Sequence, residues 1–362
     1  MAIKQLSLRA SAASRWIACP ASARLSAQMP YVEGGEAAKI GTAIHALAET
    51  CYQLDSDPMK SIGTVVEGIT MTEENCEMAL EHLKAIWAME DELGEGCVTV
   101  EKFLPYQETP KVKVGGTTDV IGISKEKRKL IIADLKTGRG YVDADNDQLR
   151  LYAVAALEAE QLYKYIDTVE LWIIQPHHGE TRKHSMTTQE LVDWEHYVLV
   201  PAIENSLNPL FQPVPSDAAC QYCNARTICP AQANIAEVVA TAPPVEMLNE
   251  QQISVLLTKF DMVEGYIKAV RDHALKRMEQ GSVIEGWQLQ PKRALRSWTD
   301  EKEAYAGLLA LGLDPRQVTK NELITPAQAE KLLTKDQKPN LEALTSRISS
   351  GLTLARDKGL TQ

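Results

Sequence analysis

The chain has 362 residues, 44% hydrophobic and 24% charged, the composition of a soluble globular protein of roughly two domains with enough apolar residues for a full core. Its net charge of −11 excludes a nucleic-acid partner held by bulk electrostatics, so a DNA contact needs a local basic surface or a bound metal. No apolar run approaches the ~20 residues of a membrane span and no secretion-type block opens the chain. Seven cysteines in such a chain therefore read as reduced cytoplasmic thiols or ligands rather than as disulfides.

The first 32 residues contain Arg and Ser but no acid, as in an organellar transit peptide, yet Cys19-Pro20 within them echoes Cys229-Pro230, which argues against their removal. "GTAIHALAET" (residues 41–50) reads as a helix start, and Cys76, Leu80, Leu83 and Trp87 give a second helix one apolar stripe. Strands follow: "VTVEKF" from Val98, "KVKVGGTTDVIGI" from Lys111 with a Gly-Gly interruption, "KLIIADL" from Lys129 and "TVELWIIQ" from Thr168. Between the last two, "DQLRLYAVAALEAEQLY" from Asp147 is helical, so the middle runs α, β, β, β, α, β. Thr187 and Glu190 form a capping box for a helix to about Asn205. "ATAPPVEM" from Ala240 marks the boundary between a domain at 1–239 and a mostly helical one at 240–362, suited to DNA or partner contact. The second domain has one non-helical, basic insertion, "GWQLQPKRALRSW" (residues 286–298).

"LIIADLKTG" (residues 130–138) sets an acid and a base in an apolar strand. By alternation, Ile131, Ala133 and Leu135 share one face, and Ile132, Asp134 and Lys136 the other. A lone buried charge costs several kcal/mol unless it is paired or holds a metal. "SKEKRK" (residues 124–129) is the turn before this strand. If it is symmetric, residues whose numbers sum to 253 face each other, Asp119 and Asp134 among them. Like charges at a directly opposed pair repel, and two facing carboxylates become favourable with a hard divalent cation between them. The plainer alternative is a structural Asp134–Lys136 ion pair with Asp119 a surface acid. The D-x-K string alone decides nothing, because "DEK" at Asp300 and "DQK" at Asp336 match it as well.

"GGTTDVIG", then "IIADLKTG", then "DQLRLYA", preceded by "GTAIHALAE", resembles the nuclease core of the PD-(D/E)XK superfamily in its RecB-like branch, in particular phage-type exonucleases. The likeness covers residues 14–230. It implies a restriction-endonuclease-like αβββαβ core with a mixed sheet, extended by helical regions at both ends. It also implies that His45, Asp119, Asp134 and the backbone carbonyl of Leu135 bind Mg²⁺ or Mn²⁺, and that Lys136 orients or activates the attacking water. Gln148 and Tyr152, a helical turn apart, would contact the DNA backbone near the metal. Glu101 matches a position where some phage exonucleases supply a further carboxylate. Thr118 stands where the superfamily usually has proline before the first acid. The implied activity is metal-dependent exonuclease cleavage of DNA ends in phage recombination, replication or repair, beside a single-strand annealing or recombination protein. A structure-selective endonuclease, or a DNA-binding scaffold with a vestigial site, would share these residues. Self-association is compatible with either.

Cys220, Cys223 and Cys229 form C-x2-C-x5-C, and Cys19-Pro20 echoes Cys229-Pro230. Four thiolates suit a [4Fe–4S] cluster or structural zinc, and the spaced cysteines are similar to those of the iron–sulfur subgroup with CRISPR-associated and AddB-type nuclease domains. Zinc sites more often pair two C-x-x-C knuckles, which this chain lacks. Cys51, Cys76 and Cys97 read as packing residues. In the basic insertion, Lys292, Arg293 and Arg296 offer cations to phosphates and Trp298 a ring to a base, or else form a solvated loop with a packed Trp.

Overall fold

Residues 130–135 alternate between two hydrophobic cores. Leu130 and Ile132 pack into one with Leu8, Trp16 and Ile121, while Ile131, Ala133 and Leu135 pack into the other with Ile44, Leu83, Ile86 and Trp172. A strand buried on both faces reads as a near-continuous apolar run, and each large side chain taken out of water stabilises the fold by about 1.5–3 kcal/mol. The computed structural model describes residues 5–30, 34–291, 295–318, 325–334, 337–348 and 352–356. Its contacts divide the chain into two units, Met1–Tyr266 and Ile267–Gln362. That division falls inside the helix Glu250–Glu279, whereas the composition shifts earlier, at Ala240.

In the first unit, strands β1 (Leu6–Arg9), β2 (Val98–Glu108), β3 (Val112–Ser124), β4 (Lys129–Leu135), β5 (Thr168–Ile174) and β6 (Arg182–Thr187) form one six-stranded sheet. The order is β1-β3-β4-β5-β6, with β2 also paired to β3. The β1/β3 and β4/β5 pairs are parallel and the others antiparallel. Helices α1 (Ala13–Ala18) and α4 (Asp147–Ala159) belong to the first core; α2 (Glu36–Gln53) and α3 (Glu73–Leu93) belong to the second. Thr72 caps α3 by accepting from Asn75 N, with Glu73 and Glu74 in the first turn, where acids suit the helix dipole. Asn146 caps α4 by accepting from Leu149 N at 3.0 Å, which sets Gln148 in the first turn. From Leu151 to Leu157 every α4 side chain is buried, as in a helix enclosed on all sides. The result is the mixed α/β fold that the periodicities predict.

The hairpin has the expected register. β3 and β4 pair from Ser124↔Lys129 to Val120↔Ala133, and one further step sets Asp119 opposite Asp134. β2 pairs with β3 through Val100↔Val120 and Lys102↔Thr118, leaving Glu101 between them with a left-handed φ of 48°. Such a backbone costs a non-glycine residue of order 1–3 kcal/mol and concentrates at functional sites. Further along, Gly115 has φ +145°, and a Cβ there would lie 2.4 Å from the Leu104 carbonyl oxygen. Glycine is required where β2 bulges between Pro105 and Gln107.

Three features differ from expectation. β1 and β6 are additional strands, because four to six residues are too few for periodicity to announce. Residues 240–362, expected to be mostly helical apart from the insertion at 286–298, contain two antiparallel pairs, each joining part of that insertion to a strand near the end of the chain: Trp287–Pro291 with Leu352–Arg356, and Leu295–Trp298 with Thr345–Ile348. These partners are separated by roughly fifty to seventy residues, beyond the reach of a local pattern.

Candidate metal centre

Asp119 and Asp134 come together with side chains from three other elements. The Leu135 amide donates to Asp119 Oδ2 at 2.7 Å, tying the two strands at the acid pair. From α2, His45 brings Nδ1 to 3.4 Å from Asp119 Oδ2 and 3.9 Å from Glu101 Oε1. The ligand atoms of His45, Glu101 and Asp119 all lie within 4.8 Å of one another, close enough to share one cation. α2 reaches this point because Ala43, Ile44, Leu47 and Cys51 pack into the second core. Gly41 allows the approach, since a Cβ there would sit 3.0 Å from Thr137 Oγ1.

Asp134 is 3% exposed. Its Oδ1 accepts from Gln148 Nε2 at 2.6 Å, and Lys136 Nζ donates to Gln148 Oε1 at 2.9 Å. The amide of Gln148 therefore bridges the acid and the base. Lys136 Nζ also lies 2.8 Å from Asp134 Oδ2, but this oxygen is buried and accepts no well-directed hydrogen bond. It retains a lone pair for a cation. The Lys136 amide donates to the Ile174 carbonyl at 2.8 Å, continuing the ladder and fixing the lysine's origin. Tyr152 is buried one turn beyond Gln148, and a Cβ on Gly116 would lie 3.2 Å from its ring.

The electrostatics are those of a site short of positive charge. Burial, then the Asp134 charge, pushes Asp119 well above the carboxylate range. Burial, then Glu49 and Asp134, also raises Glu101. Burial holds His45 below the usual histidine value against the pull of Asp134, which leaves a neutral imidazole ready to ligate. The Glu101 and Asp119 carboxylates and the His45 imidazole make a donor set compatible with a divalent cation.

Several neighbours gave no sequence signal. His82, on α3, is 4% exposed with its ring centroid 6.2 Å from that of His45, and burial followed by His45 pushes its pKa down to about 3. It forms a neutral backing to the ligand helix. Gln175 donates to the carbonyls of Gly138 and Gly140 at 2.7 Å and accepts from Arg182 Nη2 at 2.6 Å, pinning the loop that follows Lys136. The acids open onto a cleft of about 630 Å³ whose far wall includes Arg9, Phe103 and Lys113.

The structure brings Cys19 to the later cysteines. Cys19 packs with Ala21, Ala219 and Phe211, and its Sγ accepts from Val214 N at 3.3 Å. Cys220 Sγ accepts from Gln232 Nε2 at 3.0 Å. Burial raises both thiols, with Cys223 and Cys229 adding to the rise. Arg15 donates to the Tyr222 carbonyl at 3.0 Å and Arg24 to that of Phe211 at 2.7 Å, so two segments about two hundred residues apart are stitched beside these sulfurs. Cys51 and Cys76 are buried in the second core, and Cys97 packs against it.

Of the basic insertion, Lys292 and Arg293 lie outside the described residues. Arg296 is on the strand paired with Thr345–Ile348. Trp298 packs partly buried against Leu308, Val318 and Leu341. Among the described residues no helix is long and apolar enough to cross a membrane.

Fold and site thus define a mixed α/β protein with a carboxylate–histidine centre at a hairpin. Residues 6–359 match the family described as "Protein of unknown function (DUF2800)", and the chain belongs to that family. Among solved structures, a Eubacterium rectale protein provisionally described as an exonuclease is similar over 59% of this chain and 85% of its own, at 12% identity and a TM-score of 0.36. The crystal structure of SSO0001 is similar over 59% and 94%, at 13% identity and a TM-score of 0.27.

Proposed function

We propose that the protein is a divalent-metal-dependent deoxyribonuclease of the PD-(D/E)XK, RecB-like kind, hydrolysing phosphodiester bonds at DNA ends. The observation that carries this reading is the convergence of His45, Glu101 and Asp119 within 4.8 Å beside the Asp134–Gln148–Lys136 bridge. A bound Mg²⁺ or Mn²⁺ would polarise the phosphodiester and lower the pKa of the attacking water. His45, Glu101, Asp119, Asp134 and the Leu135 carbonyl are the groups to hold it. The Leu135 amide keeps Asp119 aimed into the site. Lys136 places a positive charge where negative charge develops, and Gln148 and Asp134 keep its ammonium from swinging away. Gln148 and the buried Tyr152 complete the wall on which the DNA backbone rests.

Cys19, Cys220, Cys223 and Cys229 are proposed to hold a [4Fe–4S] cluster remote from the reaction. The Val214 and Gln232 N–H groups directed at sulfur suit thiolate ligands of such a cluster. It joins residue 19 to residue 229 and acts as a staple. In this reading the enzyme works on DNA in the cytoplasm, with a phage annealing or recombination protein as its partner.

End-labelled linear DNA and covalently closed circles, incubated with Mg²⁺ or Mn²⁺, test the activity. Degradation of the linear form alone is expected. Cleavage of the circle would make the enzyme an endonuclease, and inertness with every metal would sink the nuclease reading. Anaerobic protein should contain iron and sulfide, whereas stoichiometric zinc would overturn the cluster.

A further inference from the structure

The end of the cleft away from the acids has a chemistry of its own. Phe103, one of three phenylalanines in the chain, is 49% exposed on β2, two residues, or about 6.6 Å of strand, from Glu101. A ring left open to water beside a polar cleft forgoes the burial that usually places Phe in a core. Lys113 Nζ lies 5.3 Å from its centroid and 3.6 Å from Glu108. Arg9 lines the same cleft, set there by the β1/β3 register Arg9↔Gly115 beside Ser7↔Lys113. Its guanidinium is exposed and, among the described residues, unpaired. The floor between these side chains is kept low by Gly116, where a Cβ would meet Tyr152 at 3.2 Å and Ala10 at 3.4 Å.

A polyanion approaching a chain of net charge −11, toward three clustered carboxylates, needs local cations and an anchor indifferent to charge. Arg9 and Lys113 supply the first and the Phe103 ring the second. A base inside a duplex already has both faces covered by its stacked neighbours, so an exposed ring gains a stacking partner only from an unpaired base. We propose that Phe103, flanked by Arg9 and Lys113, is a docking site for an unpaired nucleotide next to the scissile phosphate. The base stacks on the ring and the adjoining phosphates meet the two cations. This assignment rests on the nuclease reading and adds to it a preference for single-stranded ends.

Binding tests it without hydrolysis. The full chain carrying Asp134→Asn, which leaves the probe intact, is titrated by fluorescence anisotropy with a labelled short oligothymidylate and with a blunt duplex of similar length. Phe103→Ala should weaken single-strand binding about tenfold, Phe103→Tyr should restore it, and the duplex should change by less than about twofold. Arg9→Gln should lower the salt dependence by about one phosphate contact. Undiminished single-strand binding by Phe103→Ala, or equal losses on both probes, would overturn the assignment. The two readings fail separately. Phe103-dependent binding by a wild type that cleaves no DNA removes the nuclease and keeps the docking site, while cleavage without Phe103 dependence does the reverse.

Discussion

Strand β4 carries charge at both ends, and the two ends are built in opposite ways. At the first, Lys129 pairs with Glu92 and lies 2.7 Å from Glu170. Trp172 Nε1 donates to Glu170 at 2.9 Å, and Lys183 sits 4.0 Å from Glu92 and 3.5 Å above the Trp172 ring. Two lysines thus answer two glutamates. At the second, Asp119 and Asp134 have the Lys136 ammonium beside them, Glu101 adds a third acid, and burial holds the His45 pKa down. The carboxylates respond accordingly. Burial pushes Glu170 up, but the Lys129 and Trp172 hydrogen bonds together with the Lys129 and Lys183 charges leave it lowered, whereas burial and Asp134 leave Asp119 raised. A half-buried ionic cluster that closes on itself is architecture; one left with an excess of acids is held open for a cation or a substrate.

The largest effect should separate the two ends by activity. Asp134→Ala or Lys136→Ala is expected to reduce DNA cleavage at least about a thousandfold with the fold intact, as befits loss of a metal ligand or of charge stabilisation in the transition state. Lys129→Met should leave the initial rate within about threefold while lowering the unfolding free energy by about 1–2 kcal/mol. Equal loss of activity at both ends would erase the distinction, and undiminished cleavage in both Asp134→Ala and Lys136→Ala would remove the site.

How far the sequence foresaw this contrast depends on the range of the interactions. The β3/β4 turn is local, so its arithmetic could set Asp119 opposite Asp134, and the alternation in "LIIADL" split the strand into two faces, though it did not show that each face packs into a core of its own. Asp134–Gln148–Lys136 was legible only through the motif, since the spacing from Lys136 to Gln148 carries no periodic signal. The left-handed φ of Glu101 arises from how β2 crosses β3 and leaves no mark in "VTVEKF". Arg9 and Lys113 are neighbours only because a four-residue strand pairs in parallel about a hundred residues away. Gln175 looks like any polar residue after a strand until the loop it pins is folded against it.

A smaller effect should appear at the open end without its cation. Asp119→Asn relieves the repulsion among the three acids and keeps an acceptor for the Leu135 amide. Glu101→Asn relieves the same repulsion with a residue that tolerates a left-handed backbone better. Each is expected to raise metal-free stability by about 1 kcal/mol, a shift of some 2–4 °C in thermal midpoint for a unit of this size. Each should also blunt the rise that Mn²⁺ gives the wild type, which reaches about 2.7 kcal/mol at a hundred times the dissociation constant. A variant that is less stable without metal would show that these acids are held by the fold rather than strained within it.

The smallest effect belongs to the closed end and is read by pH. Glu170 has its folded pKa lowered below the unfolded value, so the pair's contribution is present above about pH 4.5 and is lost as pH falls through the folded value. Lys129 is raised: burial opposes the shift, but the hydrogen bonds to Glu170 and Glu92 prevail. Its share is therefore full below about pH 10.4 and is lost only on more alkaline titration. Between these limits the closed end is insensitive to pH. Glu170→Gln should lower the thermal midpoint at neutral pH and flatten the fall between about pH 5 and pH 3, measured without metal against wild type. Parallel acid limbs in the two proteins would mean that the Lys129–Glu170 contact contributes no net stability. The closed end would then be balanced in charge but idle in energy, and the contrast along β4 would rest on the open end alone.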